Sequence, residues 1–243
     1  MARLRKGNRD LIKDINRNLV LNLIKNQGPI SRTELVRLSH LSAGTITNIT
    51  ADLIADDIVQ ETGEGESSGG RRPIMLALNR RGGFVVGLKL SEERISGVLT
   101  DLEATIITKH HEPLNDRSLK NTIAVLAKTV DMLQKKSEID HDHLLGVGLG
   151  LAGILDAQQG VLRYSPIFGW RDVPISELLR ERAQVPVYVD NDVNTFTLTE
   201  KWFGKGHGFD NMLTITIGRG VGLGIIVNGQ LYRGFEGGAG DFG

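Results

Sequence analysis

A chain of 243 residues and 26.6 kDa, 40% apolar and 24% charged, has room for one or two cored domains, and its composition excludes a disordered or collagen-like protein. The absence of cysteine excludes a disulfide scaffold, a zinc–cysteine site and a cysteine nucleophile within these residues, and it fits a reducing cytoplasm. Lys and Arg number 29, as do Asp and Glu, and the resulting zero net charge, taken alone, argues against a simple basic nucleic-acid sleeve.

That total hides a split. Residues 1–50 carry nine basic and three acidic side chains, a net +6. Residues 1–81 carry +4 and the remainder −4, so a basic head is joined to an acidic body. The basic start, MARLRKGNRD, has no apolar stretch behind it, and no run approaches the roughly 18 apolar residues of a membrane span. A cytoplasmic protein without a membrane partner is expected. Of 30 glycines, 19 lie after residue 140, which points to tight turns and close backbone approaches in the second half.

The first predicted element is an amphipathic helix with Leu11, Ile12, Ile15, Leu19, Val20, Leu23 and Ile24 at helical spacing, ended by Gly28-Pro29. Ser31-Arg32-Thr33-Glu34 has the capping-box pattern and opens a second helix with Leu35, Val36 and Leu38 apolar, ending near His40, which reads as a surface histidine. After a short turn Ser42 caps a third helix, which turns Ile46, Ile49, Leu53 and Ile54 inward and Thr45, Thr47 and Asn48 outward. A strand from Ile58-Val59, the Gly/Ser-rich stretch 63–73 and a return over Ile74–Leu78 complete a hairpin. Helix, helix, turn, helix, hairpin is the order of a winged helix-turn-helix, expected over residues 1–81. The short polar groups Ser42, Thr45, Thr47 and Asn48 suit base edges and phosphates in a major groove. Arg71 and Arg72, at the base of the wing, suit a minor groove. A plain solvated helix face is the alternative for the threonines and Asn48; the basic charge, the capping box and the wing together favour double-stranded DNA.

The body, residues 82–243, reads as α/β. Strands are predicted over 84–90, 95–101 and 105–112, then a helix over 118–136 and a buried strand over 144–149. Another strand over 187–190 runs into Asn191-Asp192 and a helix through Trp202. The strand–turn–strand pattern then restarts, with strands over 212–217 and 223–227, an Asn228-Gly229 turn and a strand over 230–233. Two such openings suggest an internal duplication, with a first lobe over about 82–205 and the start of a second over about 206–243.

The segments Gly28-Pro29-Ile30-Ser31-Arg32, Gly70-Arg71-Arg72-Pro73, Val189-Asp190-Asn191-Asp192-Val193-Asn194, 218–224 and 234–243 together resemble the ROK family, which holds bacterial sugar-responsive repressors and sugar kinases. The resemblance covers essentially the whole chain and implies an actin-like, sugar-kinase-like (ribonuclease H-like) body behind the DNA-binding head. In the kinases an Asp-x-Gly-Gly-Thr-type turn holds nucleotide phosphate and Mg²⁺. The matching stretch here puts Lys89 at the carboxylate position and Ser91, Glu92 and Glu93 in place of the glycines and threonine. Carboxylates facing a triphosphate repel it, so ATP binding and kinase activity are not expected. The second phosphate loop, Gly218-Arg219-Gly220, has a bulky arginine where a small hydroxyl is usual.

The acceptor side is better kept. The resemblance implies sugar contacts from Gly153, Asn191, Asp192 (the base position of the kinases) and Asp241, where relatives often carry Glu. Carboxylates and amides pair well with vicinal hydroxyls. The competing reading has Asp190 and Asp192 capping the following helix. The segment 165–170 matches another cleft segment without its usual asparagine, and Trp170 fits the core slightly better than the cleft.

The chain stops at Gly243, inside a motif that relatives continue into a histidine and a cysteine-rich zinc loop. It is therefore expected to be a truncated form with only the first hairpin of the second lobe, leaving apolar faces without partners. The zinc site of the family would lie beyond these residues, and no cofactor or metal is expected within them. The leading expectation is a homodimeric, non-enzymatic repressor of carbohydrate-utilisation genes, binding a double-stranded DNA operator and a sugar effector. The alternatives are a sugar kinase with a DNA-binding appendage and a truncated, sugar-blind DNA-binding protein.

Overall fold

The computed structural model describes residues 9–65, 72–218, 220–235 and 237–240. It divides into two compact units, one running to Gly83 with Asp101–Ala104 added, the other comprising Phe84–Thr100 and Thr105–Gly243.

The first unit contains α1 (Arg9–Gln27), β1 (Ile30–Ser31), α2 (Arg32–Ser39), α3 (Ala43–Ala55), β2 (Val59–Glu64) and β3 (Ile74–Leu78). Local chemistry sets its boundaries. The Ser31 hydroxyl accepts from the Glu34 N–H at 3.2 Å while the Glu34 carboxylate accepts from the Ser31 N–H at 3.3 Å, a reciprocal cap on α2. His40 ends that helix in the left-handed region at φ 58°. The three strands form a small antiparallel sheet in the order β1-β3-β2. The two-residue β1 has no periodic signature and was not foreseen. Val20, Ile24, Leu35, Ile46, Leu53 and Leu76 fill the core.

The apolar stripe of α1 is only half used. Val20 and Ile24 are buried, but Leu11, Ile12, Ile15 and Leu19 are exposed. The 19-residue helix is about 28 Å long at 1.5 Å per residue. It outruns α2, α3 and β3, the elements it packs against. Hydrophobic periodicity reported the helix correctly and its burial only in part.

The second unit holds a five-stranded sheet, order β11-β7-β4-β5-β6, built from β4 (Phe84–Leu90), β5 (Arg94–Asp101), β6 (Ile106–Pro113), β7 (Leu144–Leu151) and β11 (Val187–Asn191). Strands β4, β7 and β11 run parallel, and β6 runs antiparallel to β5. Helix α4 (Leu119–Ser137) packs against β4 and β6 and α5 (Ile175–Ala183) against β11, so that Leu126, Leu133, Ile175 and Leu179 share one core with Val147, Leu149 and Leu151 of β7. Successive strand residues face opposite ways, so Gly150 lies on the other face. A Cβ there would stand 2.9 Å from the Thr195 hydroxyl, so glycine lets α6 (Asp192–Phe203) lie close to β7.

Between β7 and β11 the chain forms a small antiparallel sheet, β8 (Ile154–Asp156), β9 (Val161–Tyr164) and β10 (Arg171–Val173), before α5. Neither this sheet nor α5 was anticipated, because three-residue strands and a helix entered from Pro174 without a side-chain cap leave little local signal. Trp170 stacks on Phe168 at 4.5 Å between ring centroids and packs against the main core.

The last sheet, β12 (Met212–Ile217), β13 (Val221–Val227) and β14 (Gln230–Leu231), is antiparallel. The expected strand over 230–233 is only two residues long, because Arg233 turns away toward Asp190. One face of this sheet lies on α6, where a Cβ at Gly224 would collide with the Thr197 hydroxyl. Leu213, Ile215 and Ile217 alternate onto the other face and are exposed.

Candidate sugar cleft and nucleic-acid interface

The carboxyl ends of β4, β7 and β11 lie side by side. Lys89 is in register with Gly150 and Gly150 with Asp190; Leu90, Leu151 and Asn191 follow. Crevices outside such strand ends are where open α/β sheets bind ligands. The run Asp190-Asn191-Asp192 sits here, and its three side chains do three different things.

Asp190 is buried. Its Oδ1 accepts from the Asn191 N–H at 2.8 Å and from Asn194 Nδ2 at 2.9 Å, while its Oδ2 accepts from Arg233 Nε at 2.9 Å and Nη2 at 2.7 Å. Asn191 is the N-cap of α6, its Oδ1 accepting from the Val193 N–H at 2.8 Å and its Nδ2 donating to the Gly153 carbonyl at 3.0 Å. Asp192 is the first residue of α6, and its Oδ2 lies 3.3 Å from Lys89 Nζ. The capping alternative for Asp190 and Asp192 is thereby corrected. The asparagine between them caps, because an amide oxygen at that position reaches the N–H two residues on.

Two hollows flank the start of α6. One, narrow and walled by glycine, is lined by Gly153, Asn191, Val193, Gly222 and 237–240. Gly153 sits there at φ 144°, and a Cβ on it would run into the Tyr164 carbonyl. The other, of about 390 Å³, is lined by Lys89–Arg94, Ala152, Ile167 and Asp192. Its rim mixes Lys89 and Arg94 with Glu92, Glu93 and Asp192, and Arg117 donates to Glu92 at 2.7 Å. Of the four residues read as sugar ligands, Gly153 and Asn191 are hydrogen-bonded to one another and Asp192 adjoins them. Asp241 lies outside the described residues, as does Arg219. The partners Lys89 of Asp192 and Arg233 of Asp190 were missed, since no local pattern links residues so far apart.

In the first unit, Ser42 caps α3 by accepting from the Thr45 N–H at 3.2 Å, and its hydroxyl lies 2.9 Å from that of Thr45. Thr45 is half-buried, whereas Ser42, Thr47 and Asn48 are exposed; the Thr47 hydroxyl donates back to the Ala43 carbonyl at 2.9 Å. Arg72 is exposed, and Arg71 lies outside the described residues. Three of the basic residues of the head serve the fold: Arg17 pairs with Asp56 at 2.6 Å, Lys13 with Asp52 at 3.6 Å, and Arg32 with Glu61 at 3.0 Å. Arg32 Nε also donates to the buried Thr50 hydroxyl at 3.1 Å, tying α2 to both α3 and β2.

Among the described residues no group of three or more His, Cys, Asp or Glu side chains is placed to hold a metal ion, and no helix is long and apolar enough to cross a membrane.

Residues 85–243 match the family model described as ROK family. The chain is 34% identical over 232 residues to the xylose repressor of Bacillus subtilis (strain 168), which covers 96% of this chain and 60% of that protein. It is 30% identical over 241 residues to the DNA-binding transcriptional dual regulator NagC of Escherichia coli (strain K12), covering 98% of this chain and 58% of that one. The fold is similar to that of a ROK family transcriptional regulator, a homologue of the E. coli MLC protein, with a TM-score of 0.84 and 26% identity over 96% of this chain and 59% of the other. A ROK family glucokinase from Streptomyces griseus, solved with glucose and AMPPNP, matches 66% of this chain and 50% of its own, with a TM-score of 0.60 and 28% identity. The chain thus spans at most 60% of the length of these curated relatives.

Proposed function

Because the chain belongs to the ROK family, we propose that it is a sugar-responsive, DNA-binding transcriptional repressor of carbohydrate-utilisation genes, cytoplasmic and without catalytic activity. The observation that carries this reading is the pairing of a basic three-helix head with a kinase-like body whose first phosphate turn is replaced by Lys89, Ser91, Glu92 and Glu93. The repressor relatives match nearly the whole chain and the glucokinase 66% of it, which supports the same reading.

In this reading the first unit is a winged helix-turn-helix. Helix α3 enters a major groove with Ser42, Thr45, Thr47 and Asn48, and the wing arginines Arg71 and Arg72 enter an adjacent minor groove. Two copies bind an inverted-repeat operator. A sugar held at Gly153, Asn191, Asp192 and Asp241 shifts the equilibrium between two arrangements of the heads, and it acts only through its different affinity for the two. No cofactor is expected within these residues.

The test is an operator titration of the intact protein with D-xylose, D-glucose and N-acetylglucosamine. A sugar that changes operator affinity by about fivefold or more supports the reading. If none does, the sensing half fails while DNA binding stands. One observation favours a second reading, a kinase: Asp192 is kept at the base position. ATP turnover that disappears in Asp192→Asn would establish it.

A further inference from the structure

We infer that Lys89 is a ligand-binding residue of the sugar cleft, forming with Asp192 a donor–acceptor couple for two adjacent hydroxyls of an uncharged sugar. The inference rests on the sugar-site reading above. Lys89 is next to last in β4, and its neighbour in register on β7, Gly150, has no side chain to stand in its way. The same glycine admits the start of α6, so Asp192 arrives within reach and Nζ and Oδ2 stand 3.3 Å apart. The position of Asp192 in the first turn of α6 also suits a negative charge.

Hydrogen-bond capacity then sets the ligand class. An ammonium has three donors and no acceptor, and a carboxylate has about four lone-pair sites and no donor. Standing 3.3 Å apart as an ion pair, they offer donors on one side and acceptors on the other. A hydroxyl oxygen accepting from Lys89 beside a hydroxyl donating to Asp192 is the pattern a vicinal diol satisfies. The Lys89 side chain is 60% exposed and that of Asp192 25%, so both open into the 390 Å³ hollow. The rim carries two cations, Lys89 and Arg94, against the carboxylates of Glu92, Glu93 and Asp192; Lys89 pairs with Asp192, and Arg117 from outside the hollow pairs with Glu92. Such a rim has no surplus positive charge to draw in a sugar phosphate.

Calorimetric titration of the intact protein with D-xylose, D-glucose and N-acetylglucosamine tests this, using Lys89→Met, Lys89→Arg, Asp192→Asn and the double variant Lys89→Met/Asp192→Asn, with unfolding midpoints measured alongside. Loss of a charged hydrogen bond predicts that Lys89→Met weakens the sugar that binds by about tenfold or more and that Lys89→Arg restores part of it. The double variant should lose less than the product of the two single losses. Wild-type affinity in Lys89→Met, with Asp192→Asn weakened, overturns the role of Lys89 and leaves the sugar site standing. Wild-type affinity in Asp192→Asn, or no binding of any of the three sugars to the unaltered protein, removes the sugar site and this inference with it.

Discussion

Arg233 holds Asp190 through two hydrogen bonds to one carboxylate oxygen, 2.9 Å from Nε and 2.7 Å from Nη2. The pair ties the segment after β14 to the strand that delivers Asn191 and Asp192, so the position of the candidate cleft depends on a residue outside it. Arg233→Met would leave a buried carboxylate with only its amide partners. Because the Arg233 side chain is 40% exposed, a loss of about 1–3 kcal/mol is expected rather than the larger cost of a fully buried pair. Urea unfolding of the single variant and of Arg233→Met/Asp190→Asn measures it, and the second change should recover part of the loss.

Gly224 faces the Thr197 hydroxyl across the contact between β13 and α6. That hydroxyl donates to the Val193 carbonyl at 2.8 Å and is fully buried, so it has nowhere to move. Gly224→Ala should destabilise by roughly 1–3 kcal/mol through overpacking, and Thr197→Ala in the same chain should return part of that. Equal unfolding midpoints for Gly224→Ala and the unaltered protein would contradict the close approach.

His110, Glu112, Lys128 and Lys136 form a chain of contacts on β6 and α4. Lys136 donates to His110 Nδ1 at 2.8 Å, which leaves the Nε2–H to donate to Glu112 at 2.9 Å, while Lys128 lies 3.1 Å from the same carboxylate oxygen. The hydrogen bond from His110, then that from Lys128, hold the Glu112 carboxyl below its usual range. A lowered folded-state value stabilises the fold above the unfolded value of about 4.3, and that contribution fades as pH falls through the folded value. The stability difference between the unaltered protein and Glu112→Gln should therefore be largest near neutral pH, at most about 1 kcal/mol, and fade as pH falls below the ordinary carboxylate range. Chemical denaturation across that range checks the sign.

For the nucleic-acid surface, Asn48→Ala and Arg72→Ala should differ in kind. If Asn48 reads a base edge, its loss costs about 1–3 kcal/mol on an operator selected from random DNA and little on unrelated DNA. If Arg72 neutralises a phosphate, its loss weakens both and reduces the salt slope by about one. Fluorescence anisotropy at several salt concentrations separates the two, and unchanged affinity in Arg72→Ala would remove the wing from the interface.

Much of this molecule was legible because its signals are short-range. The capping box of Ser31 and Glu34 joins residues three apart, and the apolar spacing of Ile46, Ile49 and Leu53 needs only a helix to acquire meaning. The segregation of charge into head and body is likewise written in order along the chain. Burial was less legible: the stripe on α1 predicts a helix, but how much of it is covered depends on the reach of its neighbours, so Leu11 and Ile15 lie exposed where Val20 does not.

Residue identity at fixed spacing was enough for the strands of the main sheet, for every α-helix except α5, for the family resemblance and for the loss of the usual phosphate turn. How Asp190, Asn191 and Asp192 divide their work follows from contacts made across the fold. Three adjacent polar residues offer nearly equivalent hydrogen-bonding groups to a local reading. What separates them is Arg233 arriving from beyond β14, the Gly153 carbonyl from beyond β7, and Lys89 from the end of β4. Those partners meet because parallel strands in register bring distant backbone to one edge, a juxtaposition that local spacing does not encode.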